Sequence, residues 1–179
     1  MATEYYYDGT PCECDYMTKR YRSYAHEYVE TPFKDGTKNG IQKRYYASRE
    51  LAATIPYANG KIHGIRRDFY SSGALNIECH FTNGAKNGWY KQYYETGVLH
   101  EEIFYVYNKR QGTGRRFYRS GVLSETTAYK DNKLHGIARG YDISGKLSNE
   151  KGYIHDRPVF RGILAFRRPH EQCSMENYV

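Results

Sequence analysis

The sequence has little of what builds a thick sealed core. Apolar types supply 39% of its 179 residues, low for a domain packed around a deep interior. No stretch approaches the ~20 apolar residues needed to cross a bilayer as a helix. The start, MATEYYYDG, lacks the apolar segment of a secretory leader. Cysteine is sparse, at Cys12, Cys14, Cys79 and Cys173. The Cys12-x-Cys14 pair is too short and isolated for a zinc site, which needs two well-spaced pairs, so free thiols are expected. There is no Asn-x-Ser/Thr acceptor either. Together these absences predict a cytoplasmic or other reducing intracellular setting, which includes a particle assembled there.

Reactive constellations are scarce too. No G-x-x-x-x-G-K-S/T phosphate loop occurs, and no nucleophile sits in a G-x-S-x-G context. His63 and His135 fill a turn position that other repeats give to Asn39, Asn87 and Gln111. His26, His155 and His170 have no cysteine or carboxylate at metal-ligand spacing. Glu101 and Glu102 are adjacent, and neighbouring strand residues point to opposite faces, so they cannot share one site. No enzyme, metal or cofactor is expected.

Glycine and tyrosine are abundant instead. Gly40, Gly64, Gly88, Gly112 and Gly136 recur every 24 residues. The same period carries Leu51, Leu75, Leu99, Leu123 and Leu147, and the ring column Tyr45, Phe69, Tyr93, Phe117 and Tyr141. A second ring column runs through Tyr57, Phe81, Tyr105, Tyr129 and Tyr153. Run back one period, the phase lands on Tyr16, Met17, Lys19, Tyr21 and Phe33, predicting a degenerate unit over residues 10–33. Tyr21, Tyr24 and Tyr28 also fit a helical spacing; the strand reading is preferred.

Each unit reads as a β-hairpin. Ile65, Arg67 and Phe69 alternate with polar positions, a Ser71-Ser72-Gly73 break follows, and Leu75, Ile77, Cys79 and Phe81 alternate again. Period two marks strands, and a glycine-bearing break between two such runs marks a hairpin. The links hold Asn59-Gly60, Asn83-Gly84 and Asn87-Gly88, pairs suited to tight reversals. The expected fold is all-β: an elongated antiparallel sheet of stacked 24-residue hairpins with short terminal caps. It divides into a Tyr-rich cap with a degenerate repeat (1–33), five repeats (34–153) and a carboxy-terminal cap or tail (154–179). Six hairpins give about twelve strands and, at ~4.8 Å each, a sheet ~55 Å long. The segment VFRGILAF (159–166) is a candidate cap. Pro56 lacks a ladder donor, so a bulge or edge position is expected there.

The unit G-x-x-x-x-(F/Y)-Y-x-x-G-x-L, followed by an aromatic and an NGxxNG or NGKxHG link, resembles the MORN repeat. It looks closest to the variant of YwqK-type antitoxins and of repeat proteins in large DNA viruses. That resemblance implies a non-enzymatic scaffold, with an antitoxin or immunity protein and a minor capsid-type component as settings. Departures are Arg49 at the turn glycine, Asn108 and Asn132 at the link glycine, and Asp142 at the tyrosine of the last unit.

One column is basic in every unit: Lys19, Lys43, Arg67, Lys91, Arg115 and Arg139. Alternation puts it on one face with Ile41, Ile65, Trp89 and Ile137 and with the first ring column. Cation–π contacts between the basic stripe and the flanking rings are therefore expected. Residues 31–153 hold 20 basic and 11 acidic groups, against 3 and 6 in residues 1–30. The candidate partner-binding residues are Arg67, Trp89, Lys91, Tyr93, Arg115 and Arg139. They point to another protein with an acidic surface, with self-assembly also in view. Single-stranded nucleic acid and an anionic membrane are the lesser alternatives.

Overall fold

A computed structural model describes residues 16–22 and 27–159. Every element is a strand, and all of them join one open antiparallel sheet of fifteen strands. Six hairpins follow one another: β1 (Tyr16–Arg22) with β2 (Glu27–Lys34), β4 (Gly40–Tyr45) with β5 (Leu51–Ala58), and β7 (Gly64–Phe69) with β8 (Leu75–Thr82). Then come β9 (Ala85–Tyr93) with β10 (Leu99–Val106), β11 (Lys109–Phe117) with β12 (Leu123–Lys130), and β13 (Lys133–Tyr141) with β14 (Leu147–Ile154). Two-residue strands β3 (Thr37–Lys38) and β6 (Lys61–Ile62) lie in links, and β15 (Arg157–Val159) follows β14. The twelve expected strands are present; of the extra three, β3 and β6 are link pieces and β15 pairs with the end of β14. None of the described residues forms a helix that could cross a membrane.

The degenerate first unit is a hairpin, not a helix. Tyr16 pairs with Phe33 at the same offset as Gly40 with Tyr57 and Gly64 with Phe81. Its register therefore continues the repeat. The proposed caps at residues 1–15 and 160–166 lie outside the described residues.

Each of the five full repeats closes its hairpin through one turn. In the second full unit Tyr70 N–H donates to Ala74 O and Gly73 N–H to Tyr70 O, and the same pair recurs at Tyr94, Tyr118 and Asp142. The turn glycine takes a φ near +85°, which costs an L-residue with a Cβ about 1–2 kcal/mol. Arg49 occupies this position at φ 76° and carries that cost.

Tyrosine hydroxyls bolt the stack together. Tyr70, Tyr94 and Tyr118 each donate to a carbonyl 23 residues on, those of Tyr93, Phe117 and Tyr141, at 2.7–2.9 Å. Tyr46 does the same to Phe69 O. Asp142 ends this series and instead accepts bonds from Ser144 N–H, Ser144 Oγ–H and Lys146 N–H within its own turn. The link departures have a comparable reason. Asn108 and Asn132 adopt φ near +70°, and their side-chain oxygens accept from Lys86 N–H and Arg110 N–H, one unit back. Asparagine tolerates the left-handed region and adds a bond that glycine cannot make.

Pro56 sits in an interior strand, since β5 lies between β4 and β7. In three sister units the same column coincides with a register shift, between Cys79 and Phe81, Glu102 and Phe104, and Thr127 and Tyr129. The bulge expectation therefore fits, and the edge expectation does not. Proline at this column also breaks the following strand. Behind Pro32 and Pro56 the link splits into β3/β4 and β6/β7, whereas behind His80, Phe104 and Ala128 it runs on as the nine-residue β9, β11 and β13. A missing N–H removes the bond that would join the two pieces.

The buried side chains lie on one side. The column Thr31, Ile55, Cys79, Ile103 and Thr127 is 3–8% exposed, and Ala53 and Gln42 lie on the same face. Among the described residues the core is this single row, not a layer between two sheets.

Candidate docking face

The residues opposite that row form the candidate site. Lys43, Arg67, Lys91, Arg115 and Arg139 fall on the first strands of their hairpins, and each lies in register with a second column. That column is Glu30, Thr54, Glu78, Glu102, Thr126 and Glu150, again at 24-residue spacing. Arg67 Nε lies 2.9 Å from Glu78 Oε2, Arg115 Nη1 2.8 Å from Glu102 Oε1, and Arg139 Nε 2.8 Å from Glu150 Oε2. Lys91 is in register with Glu78 on one side and Glu102 on the other. The expected basic stripe is thus a ladder of both signs. The carboxylates sit deeper, 15–29% exposed against 39–45% for their arginines, so the cations form its outer rim.

Beside the ladder runs an apolar track. Trp89 and Phe104 are cross-strand partners whose rings meet edge-on at 5.2 Å and 75°. Ile41 is 55% exposed and Phe104 36%. Tyr93 shares the other flank. Its phenol is raised above the ordinary range by burial first, then by the fields of Glu78 and Glu102. All six candidate residues therefore lie on one face.

The expected cation–π contacts do not form on this stripe among the described residues, because its arginines turn to carboxylates. They occur mainly on the opposite face. Lys38 lies 4.9 Å from the Tyr57 ring, Lys86 5.1 Å from Tyr105 and Arg110 4.3 Å from Tyr129. There the cations cover the buried row: the rings belong to the second aromatic column, adjacent to Ile55, Ile103 and Thr127. Arg66 pairs with Asp68 at 2.7 Å, and Arg116 with Glu101 at 2.8 Å and Glu125 at 3.3 Å. Glu101 and Glu102 do point to opposite faces, as alternation requires. The inner face also holds an open groove of about 510 Å³ between Thr31, Lys38, Gln42, Ile55, Tyr57 and Arg66.

Two kinds of residue escaped the sequence reading. The acidic and threonine column was visible at the same period, but only the basic column stood out because it never varies in sign. The tyrosines at 46, 70, 94 and 118 belonged to the motif, yet their bonding role depends on a carbonyl in the next unit.

Residues 62–83 and 86–107 match the MORN repeat variant. The two matched stretches begin 24 residues apart, each running from a link through both strands of a hairpin. MORN repeats are generally non-enzymatic scaffold units that bind proteins or membranes. A search of curated proteins finds no match.

Proposed function

We propose that the chain is a non-enzymatic scaffold that docks a protein through the face carrying Arg67, Trp89, Lys91, Tyr93, Arg115 and Arg139. The observation that carries this reading is the asymmetry of burial. One face covers its own apolar row with rings and ion pairs, while the other leaves Ile41 and Phe104, the latter against the half-buried Trp89, open beside a row of cations more exposed than their carboxylates. Aromatic residues and arginine are the types that anchor protein interfaces, and a flat sheet presents them in line. The matching partner offers carboxylates opposite the cations and an apolar strip opposite Trp89. Phosphate-rich partners fit less well, since Glu78, Glu102 and Glu150 share the ladder and repel a polyanion. Toxin neutralisation and a place in a viral particle are two settings of this one docking face.

A photo-reactive phenylalanine analogue tests the reading. Placed at Trp89 or Tyr93, it should give covalent protein adducts in the native source. Placed at Tyr105 or Tyr129, on the covered face, it should give none. Adducts only from the covered face overturn the assignment.

A further inference from the structure

We infer that the docking face takes a second copy of this chain, packed face to face about a two-fold axis parallel to the strands and lying between β9 and β10. This deepens the docking reading above by naming its partner. The warrant is the order of charges across the sheet. From Glu30 to Glu150 the ladder is symmetric in sign about Lys91: Glu78 and Glu102 lie beside it, then Arg67 and Arg115, Thr54 and Thr126, and Lys43 and Arg139. A two-fold interface brings a surface onto itself, so such a symmetric surface must avoid setting like on like. An axis through Lys91 would put every cation against a cation. So would an axis perpendicular to the strands and running along the ladder, which sets each ladder residue over its own copy. Shifting the parallel axis by half a strand sets β9 over the partner's β10, and every facing pair changes kind.

Lys91 then meets the partner's Glu102, Glu78 meets the partner's Arg115, and Arg67 meets the partner's Thr126. No like-charged pair remains. The apolar track agrees independently. At the axis Trp89 meets the partner's Phe104, so the two edge-on pairs form one four-ring cluster. Further out, at the edge of the contact, the bulky Ile65 on β7 lies over the partner's Ala128 on β12, the two strands being equally far from the axis. There a large side chain faces a small one, which favours close packing. Sheet twist limits contact to the centre. Six strands at about 4.8 Å and eight residues at about 3.3 Å cover roughly 750 Å², close to the about 800 Å² per partner of a stable complex.

Sedimentation and light scattering of the full chain over a concentration series test this. The wild type should reach twice the monomer mass. Lys91→Glu and Glu102→Lys chains should each stay monomeric, with unchanged circular dichroism, because each sets like charges against each other at the axis. Mixed in equal amounts they should recover the doubled mass, since every facing pair is again opposite. Trp89→Ser should also be monomeric, by loss of the ring cluster. A wild type that stays monomeric at all concentrations overturns the inference, as do charge variants that each dimerise alone or a mixture that stays monomeric. If the wild type is monomeric and position 89 still gives adducts with a different protein, the dimer falls and the docking reading stands.

Discussion

The two faces of this sheet are made from the same hairpins and behave as different materials. On the inner face long side chains fold over a narrow apolar row: Arg66 onto Asp68, Lys86 and Arg110 onto tyrosine rings. On the outer face the corresponding cations reach across the ladder to glutamates and leave the apolar track beside them open. A single sheet has no second layer to bury against, so its stability depends on how well one face covers itself. The other face is then free to be spent on contact.

That comparison can be broken from the inside. Ile103→Ala, on the covered row, should cost about 3 kcal/mol, read from denaturant midpoints. Ile41→Ser, in the open track, should move stability by less than about 0.5 kcal/mol. Equal effects would mean that the faces are not distinct. The tyrosine bolts come next. Tyr94→Phe keeps the ring but strands the Phe117 carbonyl, and should cost about 1 kcal/mol. Arg49→Gly should work in the opposite direction, stabilising by about 1 kcal/mol as the left-handed strain is relieved. On the outer face Arg115→Gln removes an ion pair whose arginine is 45% exposed, and a loss of at most about 0.5 kcal/mol is expected.

Alkaline pH sharpens the contrast further. Burial, followed by the field of Glu101, pushes the Tyr90 phenol on the inner face up to about 12 from 10.0. The unfolded chain ionises first, so the stabilisation is complete below about pH 10 and falls as pH rises through about 12. Tyr90→Phe should flatten the alkaline limb of a stability–pH curve. Burial also raises the Cys79 thiol, so this cysteine should label far more slowly in the native protein than after denaturation.

Much of the architecture was legible in advance. The hairpins, their register and even the degenerate first unit follow from columns 24 residues apart, and the Pro56 irregularity follows from a missing donor. The six candidate residues do share a face, because alternation along a strand is strict. The misreadings had one common source. The stripe reads as purely basic in the sequence because Glu78, Glu102 and Glu150 lie on the other strand of each hairpin, far from the cations in the alignment of columns. Cation–π contact falls mainly on the inner face, a choice the sequence leaves open because rings and cations recur on both.

What the sequence determines alone is the repeating hairpin: local alternation, a turn and a link with the right backbone freedom, at a period that backbone pairing propagates from unit to unit. Only the stacked sheet decides which face is covered, which cations meet carboxylates and which meet rings. Those choices belong to side chains brought together from separate strands, and period two names two faces without ranking them.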